Sequence, residues 1–88
     1  MSISDEQIRA TVLFKLMRSG KWLHSHTSMD NLSKSFPKDV RGRVKENVEK
    51  LIKEGYLLVK PTAYGKEVSL NVRKKQEIEE FVGTYLKC

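Results

Sequence analysis

Residues 37–59 read PKDVRGRVKENVEKLIKEGYLLV, and this stretch decides the fold. Val40, Val44, Val48, Leu51 and Ile52 fall on one face of a helix, which the spacing predicts over residues 37–54. Pro37 suits a first helical turn, and it pushes Phe36 out of helical geometry. Gly55 is a stop signal. Tyr56, Leu57, Leu58 and Val59 then read as a strand.

The neighbouring segments follow from this centre. Upstream, Ser28 is an N-cap for a short helix over residues 29–35, with Leu32 facing inward. Residues 22–27 are too short for a helix and read as an extended segment or short strand. Residues 4–19 form the first helix. Ser4 and Gln7 have the spacing of a capping box, and Asp5 and Glu6 suit the positive end of the helix dipole. Ile8, Val12 and Leu16 form its stripe, Leu13 and Met17 widen it, and Gly20 ends it. Ala10 and Phe14 fall outside that stripe.

Downstream, residues 61–66 read as a loop. Val68, Leu70 and Val72 alternate with Ser69 and Asn71 as a half-buried strand. The two strands make a hairpin. A last helix over residues 73–86 carries Ile78, Phe81, Val82, Tyr85 and Leu86 on one face. The expected class is α+β, mainly α, as one domain over residues 1–88 with no internal repeat or linker.

A short helix joined by a tight turn to a longer one is a helix-turn-helix arrangement, and a hairpin directly after it adds a wing. With these elements, and with the Leu51-Ile52-Lys53-Glu54-Gly55-Tyr56-Leu57 junction, the sequence resembles the winged-helix superfamily. It is similar to small archaeal members through Phe36-Pro37-Lys38 and Lys60-Pro61-Thr62-Ala63-Tyr64-Gly65. The resemblance implies a recognition helix over residues 37–54, a wing over residues 60–67 and double-stranded DNA as the partner. In such folds the front half of the recognition helix meets the base edges.

Charge supports the same partner. The 88-residue chain has 17 Lys and Arg against 11 Asp and Glu, a net charge of +6. Its pI is near 9.6, which favours polyanionic partners. The excess is uneven. Lys38, Arg41, Arg43 and Lys45 face Asp39 alone in residues 37–45. Lys60, Lys66, Arg73, Lys74 and Lys75 face Glu67 alone in residues 55–75. The rear of the long helix, with Glu46, Glu49 and Glu54, is acidic.

The expected nucleic-acid contacts are Lys34, Lys38, Arg41, Arg43, Lys45, Tyr64 and Lys66. On a helical wheel Lys38 and Lys45 lie on one flank and Arg43 and Lys50 on the other. Arg41 falls near the apolar edge and is expected to snorkel past the short helix. Lys50 is expected to pair with Glu46, and Lys53 with Glu49, at i,i+4 spacing. Tyr64 either packs on a sugar or base or folds back on the hairpin.

Other chemistries lack their residues. No Gly-rich phosphate loop, nucleophile elbow or metal-binding helix motif is present, so no enzyme activity, cofactor or small-molecule substrate is expected. His24 and His26 lie two apart and face the same way on an extended segment, but a closed metal site needs further ligands. Cys88 is the only cysteine, so no internal disulfide forms. No apolar run or leader pattern points to a membrane, and the expected location is the cytoplasm. Phe14 with Phe81 and Tyr85 either packs the first and last helices within one chain or forms a homodimer surface. RNA binding and a protein-interaction role inside a nucleic-acid machine are the alternative functions.

Overall fold

The computed structural model describes residues 3–22, 25–63 and 65–86. Its first helix, α1, spans Asp5–Arg18 and starts where the capping box places it. Ser4 Oγ accepts the Gln7 N–H at 3.1 Å, and Gln7 Oε1 accepts the Ser4 N–H at 3.2 Å. Two of the helix's orphan donors are thereby satisfied. The C-terminus closes as a Schellman motif. Gly20 takes φ +67°, its N–H donates to the Met17 carbonyl, and the Lys21 N–H donates to the Leu16 carbonyl.

β1 is only Thr27–Ser28, so the extended segment expected over residues 22–27 contributes two strand residues and an isolated bridge from Trp22 to Leu70. Leu23 and His24 lie outside the described residues, and His26 is half-buried just before β1. α2 spans Met29–Lys34, with the Ser28 side chain accepting the Asn31 N–H. The long helix begins later than the periodicity suggests. Pro37 precedes it in extended geometry, Lys38–Val40 form a 3-10 turn, and α3 spans Arg41–Lys53. A second Schellman motif ends α3, with Gly55 at φ +86° and the Tyr56 N–H on the Leu51 carbonyl.

The hairpin is longer and tighter than expected. β2 spans Leu57–Thr62 and β3 spans Gly65–Leu70, leaving residues 63–64 between them. Pro61 therefore belongs to a strand and not to a loop. β2 is an edge strand, in the order β1-β3-β2, and an edge is where proline is tolerated. The Thr62 hydroxyl donates to the Gly65 carbonyl at 2.8 Å and fastens the turn. β3 stops at Leu70, short of Val72, because Asn71 turns the chain. Its carboxamide donates to the Gly55 carbonyl at 2.8 Å and accepts the Arg73 N–H at 3.1 Å. Val72–Lys74 make a 3-10 turn, and α4 spans Lys75–Tyr85.

The fold is α+β, mainly helical, with a three-stranded antiparallel sheet. One core joins all the layers. Ile8, Val12, Leu13 and Leu16 of α1 meet Val44, Val48 and Leu51 of α3, Val68 and Leu70 of β3, and Ile78 and Val82 of α4. Leu32 and Phe36 close it on the α2 side. α4 packs on α1 within the chain. Ala10 is fully buried, whereas Phe14 stays 37% exposed. No helix among the described residues is long and apolar enough to cross a membrane.

Candidate functional site

The turn between α2 and α3 is held by an arginine. Arg41 Nε donates to the Phe36 carbonyl at 3.0 Å and Nη2 to the Lys34 carbonyl at 3.1 Å. The guanidinium thus satisfies the last carbonyl of α2, which the helix cannot satisfy itself, and that of Phe36 in the turn beyond it. Arg41 therefore sets the angle between α2 and α3 and is half-buried while doing so. Lys34 and Lys38 flank this turn, both exposed and without an ion pair among the described residues.

Lys45 and Lys66, far apart in sequence, line one cleft of about 220 Å3 together with Ser28, Asp30 and Glu49. Lys45 Nζ is 3.8 Å from Asp30 Oδ1, and Lys66 Nζ is 3.5 Å from Glu49 Oε1. All four side chains are exposed, so each pair contributes about 0–1 kcal/mol and is easily exchanged. The expected helical pairs Lys50–Glu46 and Lys53–Glu49 do not form among the described residues. Glu49 reaches across to β3 instead. Tyr64 lies outside the described residues.

Arg43 is placed differently from the expectation. It turns toward α1, where Nη2 lies 2.9 Å and Nε 3.3 Å from Asp5 Oδ1, and Nη2 also donates to the Ile3 carbonyl at 2.8 Å. A wheel drawn for one helix cannot show that Asp5 of another stands opposite this flank. Asn47, 2% exposed, completes the arrangement. Its Nδ2 donates to Asp5 Oδ1 at 3.1 Å and to the Arg43 carbonyl at 2.8 Å, and its Oδ1 accepts from Arg9 Nη1 at 2.9 Å. Sequence reasoning passed over Asn47. The available signal was its position inside the apolar stripe of Val44, Val48 and Leu51, where a polar side chain needs a partner.

This cluster joins α1 to α3 and makes one pH prediction. The hydrogen bond from Arg43, then that from Asn47, holds the Asp5 carboxyl below the ordinary aspartate value, outweighing the opposing effect of desolvation. The unfolded chain therefore binds this proton more tightly than the folded one. The stabilisation is fully present above about pH 4 and is lost as pH falls through the lower folded value. Urea unfolding from mildly acidic to strongly acidic pH should show a smaller acid loss in Asp5→Asn than in the wild type. Parallel curves would assign the acid sensitivity elsewhere.

No family model, curated protein or solved structure matches the chain.

Proposed function

We propose that this chain is a winged-helix module that binds double-stranded DNA, with α3 and its leading 3-10 turn as the recognition element and the β2–β3 hairpin as the wing. The observation that carries the reading is the convergence of Lys45 and Lys66 on one cleft between α2, α3 and the hairpin. Helix and hairpin thus present cations on a common surface, to which Lys34 and Lys38 add exposed charge at the α2–α3 turn. Arg41 holds that turn, and Arg43 locks α3 to α1, so both act by positioning the surface. A regulator of transcription acting in the cytoplasm is the role this reading suggests.

Asp30 and Glu49 tether the two lysines in the free protein and oppose phosphate in the complex. The test follows from that opposition. Random-sequence duplex is titrated by fluorescence anisotropy from about 50 to 200 mM salt, where four phosphate contacts give a log–log slope of about −4. Asp30→Asn and Glu49→Gln should each tighten binding about two- to fivefold at the low-salt end, because each removes a like charge beside a phosphate. A wild-type affinity independent of salt, or no gain in either variant, rejects the reading.

A further inference from the structure

We propose that a second cleft, between the C-terminal end of α1, β1 and α2, takes a phosphate group. The cleft measures about 360 Å3 and is lined by Lys15, Arg18 and Lys21, with Thr27 and Asn31 opposite and no carboxylate among its lining residues. That volume is at the lower end of the roughly 300–1,000 Å3 usual for small-ligand sites.

Some cations of the fold are compensated. Arg9, Arg43, Lys45, Lys66 and Lys74 each meet an Asp or Glu within the fold. Among the described residues, Lys15, Arg18 and Lys21 meet none. Three uncompensated cations around one concavity focus positive potential there.

Two of the three are anchored. Lys15 Nζ lies 5.6 Å from the centre of the Phe36 ring, a cation–π contact that orients the ammonium group without removing its charge. Lys21 follows the Gly20 turn. Its N–H donates to the Leu16 carbonyl at 2.9 Å, and its carbonyl accepts the Leu70 N–H at 2.7 Å. The backbone that carries Lys21 is thus fixed to both α1 and β3. Arg18 is exposed and able to swing onto a ligand, and its fork of donors suits a tetrahedral oxyanion.

The neutral groups fit the same ligand. The Thr27 hydroxyl and the Asn31 carboxamide have no hydrogen-bond partner among the described residues, so both are available as donors. The Ser19 and Ser35 hydroxyls are already committed, to the Lys15 carbonyl at 2.9 Å and the Leu32 carbonyl at 2.6 Å. Three cations and two neutral donors match a group with three or four acceptor oxygens better than a carboxylate with two.

Such a group comes either from a nucleic-acid backbone or from a small phosphorylated molecule. Thr27 lines this cleft and Ser28 lines the Lys45–Lys66 cleft, so the two concavities lie on either side of the entry to α2. A backbone bound at one is close to the other, and that source rests on the DNA reading above.

The experiment uses the full chain labelled with 15N. Inorganic phosphate and a random-sequence duplex are titrated separately into the wild type, into Lys15→Gln/Arg18→Gln/Lys21→Gln, and into the charge-retaining Lys15→Arg/Arg18→Lys/Lys21→Arg. Phosphate or duplex should shift the amides of Ser19, Lys21 and Asn31 in the wild type and the charge-retaining variant, and not in the glutamine variant. With a backbone source, the wild-type duplex salt slope is steeper by about 2–3 than four contacts give, and the glutamine variant loses that excess. Phosphate shifts with an unchanged duplex slope assign the cleft to a free ligand. Amides that respond to neither probe overturn the proposal, as do equal shifts in the glutamine variant. Duplex binding lost in Lys45→Ala/Lys66→Ala, with those amides silent to both probes, leaves the DNA reading standing and removes the cleft. Phosphate binding without any duplex binding does the reverse.

Discussion

Replacing Lys34, Lys38, Lys45 and Lys66 together by alanine is expected to lower affinity for random-sequence duplex DNA by about a thousandfold at ~0.1 M salt. Each phosphate contact contributes about 0.9 to the salt slope, which at this ionic strength is close to a factor of eight in affinity. Four contacts multiply to a few thousand. Lys45 and Lys66 must first leave Asp30 and Glu49, at a cost below about 1 kcal/mol each, which trims the product. The folded state should survive, because all four side chains are exposed and none supports the core. Thermal melting of the variant beside the binding curve separates the two effects. A quadruple variant that binds like the wild type would place the interface on another face.

The second large effect is on stability. Asn47→Ala should cost about 3 kcal/mol. The change removes the acceptor for Arg9 Nη1, a hydrogen bond to a charged group of about 1.5–3 kcal/mol, and one donor to the half-exposed Asp5, and it leaves the Arg9 guanidinium short of a partner at the buried Asn47 position. Asp5 keeps Arg43, so the loss is less than the sum of the two bonds. A chain of 88 residues has roughly 4–13 kcal/mol in all, so this is a large share. The melting temperature should fall by about 12–24 °C, using the usual 4–8 °C per kcal/mol for domains of this size. A double-mutant cycle with Arg9→Ala identifies the cause. The pair should show coupling of about 1 kcal/mol or more, and additivity within about 0.5 kcal/mol would mean that Asn47 acts through packing alone.

What the sequence revealed, and what it hid, divides along the range of the forces involved. The capping box at Ser4 and Gln7 and the stops at Gly20 and Gly55 were legible because each is decided within one turn of chain. The strand at Val68 and Leu70 was legible for the same reason, but its half-buried alternation was not borne out, since Ser69 between them is fully buried in the middle strand of the sheet. Pro61 was misplaced because its tolerance in a strand depends on β2 being at the edge, a property of the assembled sheet. The late start of α3 was hidden because Val40 keeps its place on the apolar face, and residues 38–40 differ from helix only in how tightly the turn is wound.

The site divides in the same way. Lys45 and Lys66 could be nominated from local charge, but their shared cleft depends on the docking of hairpin against helix. The ion pair of Arg43 was hidden because its partner is on α1. Lys15 and Arg18 were passed over for an instructive reason. In a sum over residues 1–20, Asp5 and Glu6 offset them, yet α1 is 14 residues long and separates its two ends by about 20 Å. The acids stay at the front with Arg43 and Arg9, and the bases gather at the back.

The edge position of β2 also bears on how this protein behaves when concentrated. Among the described residues β2 pairs with β3 alone, and its Leu58 and Val59 are exposed. An edge with those features is a template for growth by strand addition, unless charge or proline interrupts it. Lys60 and Pro61 occupy the next two positions. Together they confine the sticky stretch to the three residues Leu57, Leu58 and Val59, too short to seed a cross-β stack. The proline that the sequence presents as a loop residue thus also limits how far the exposed edge extends.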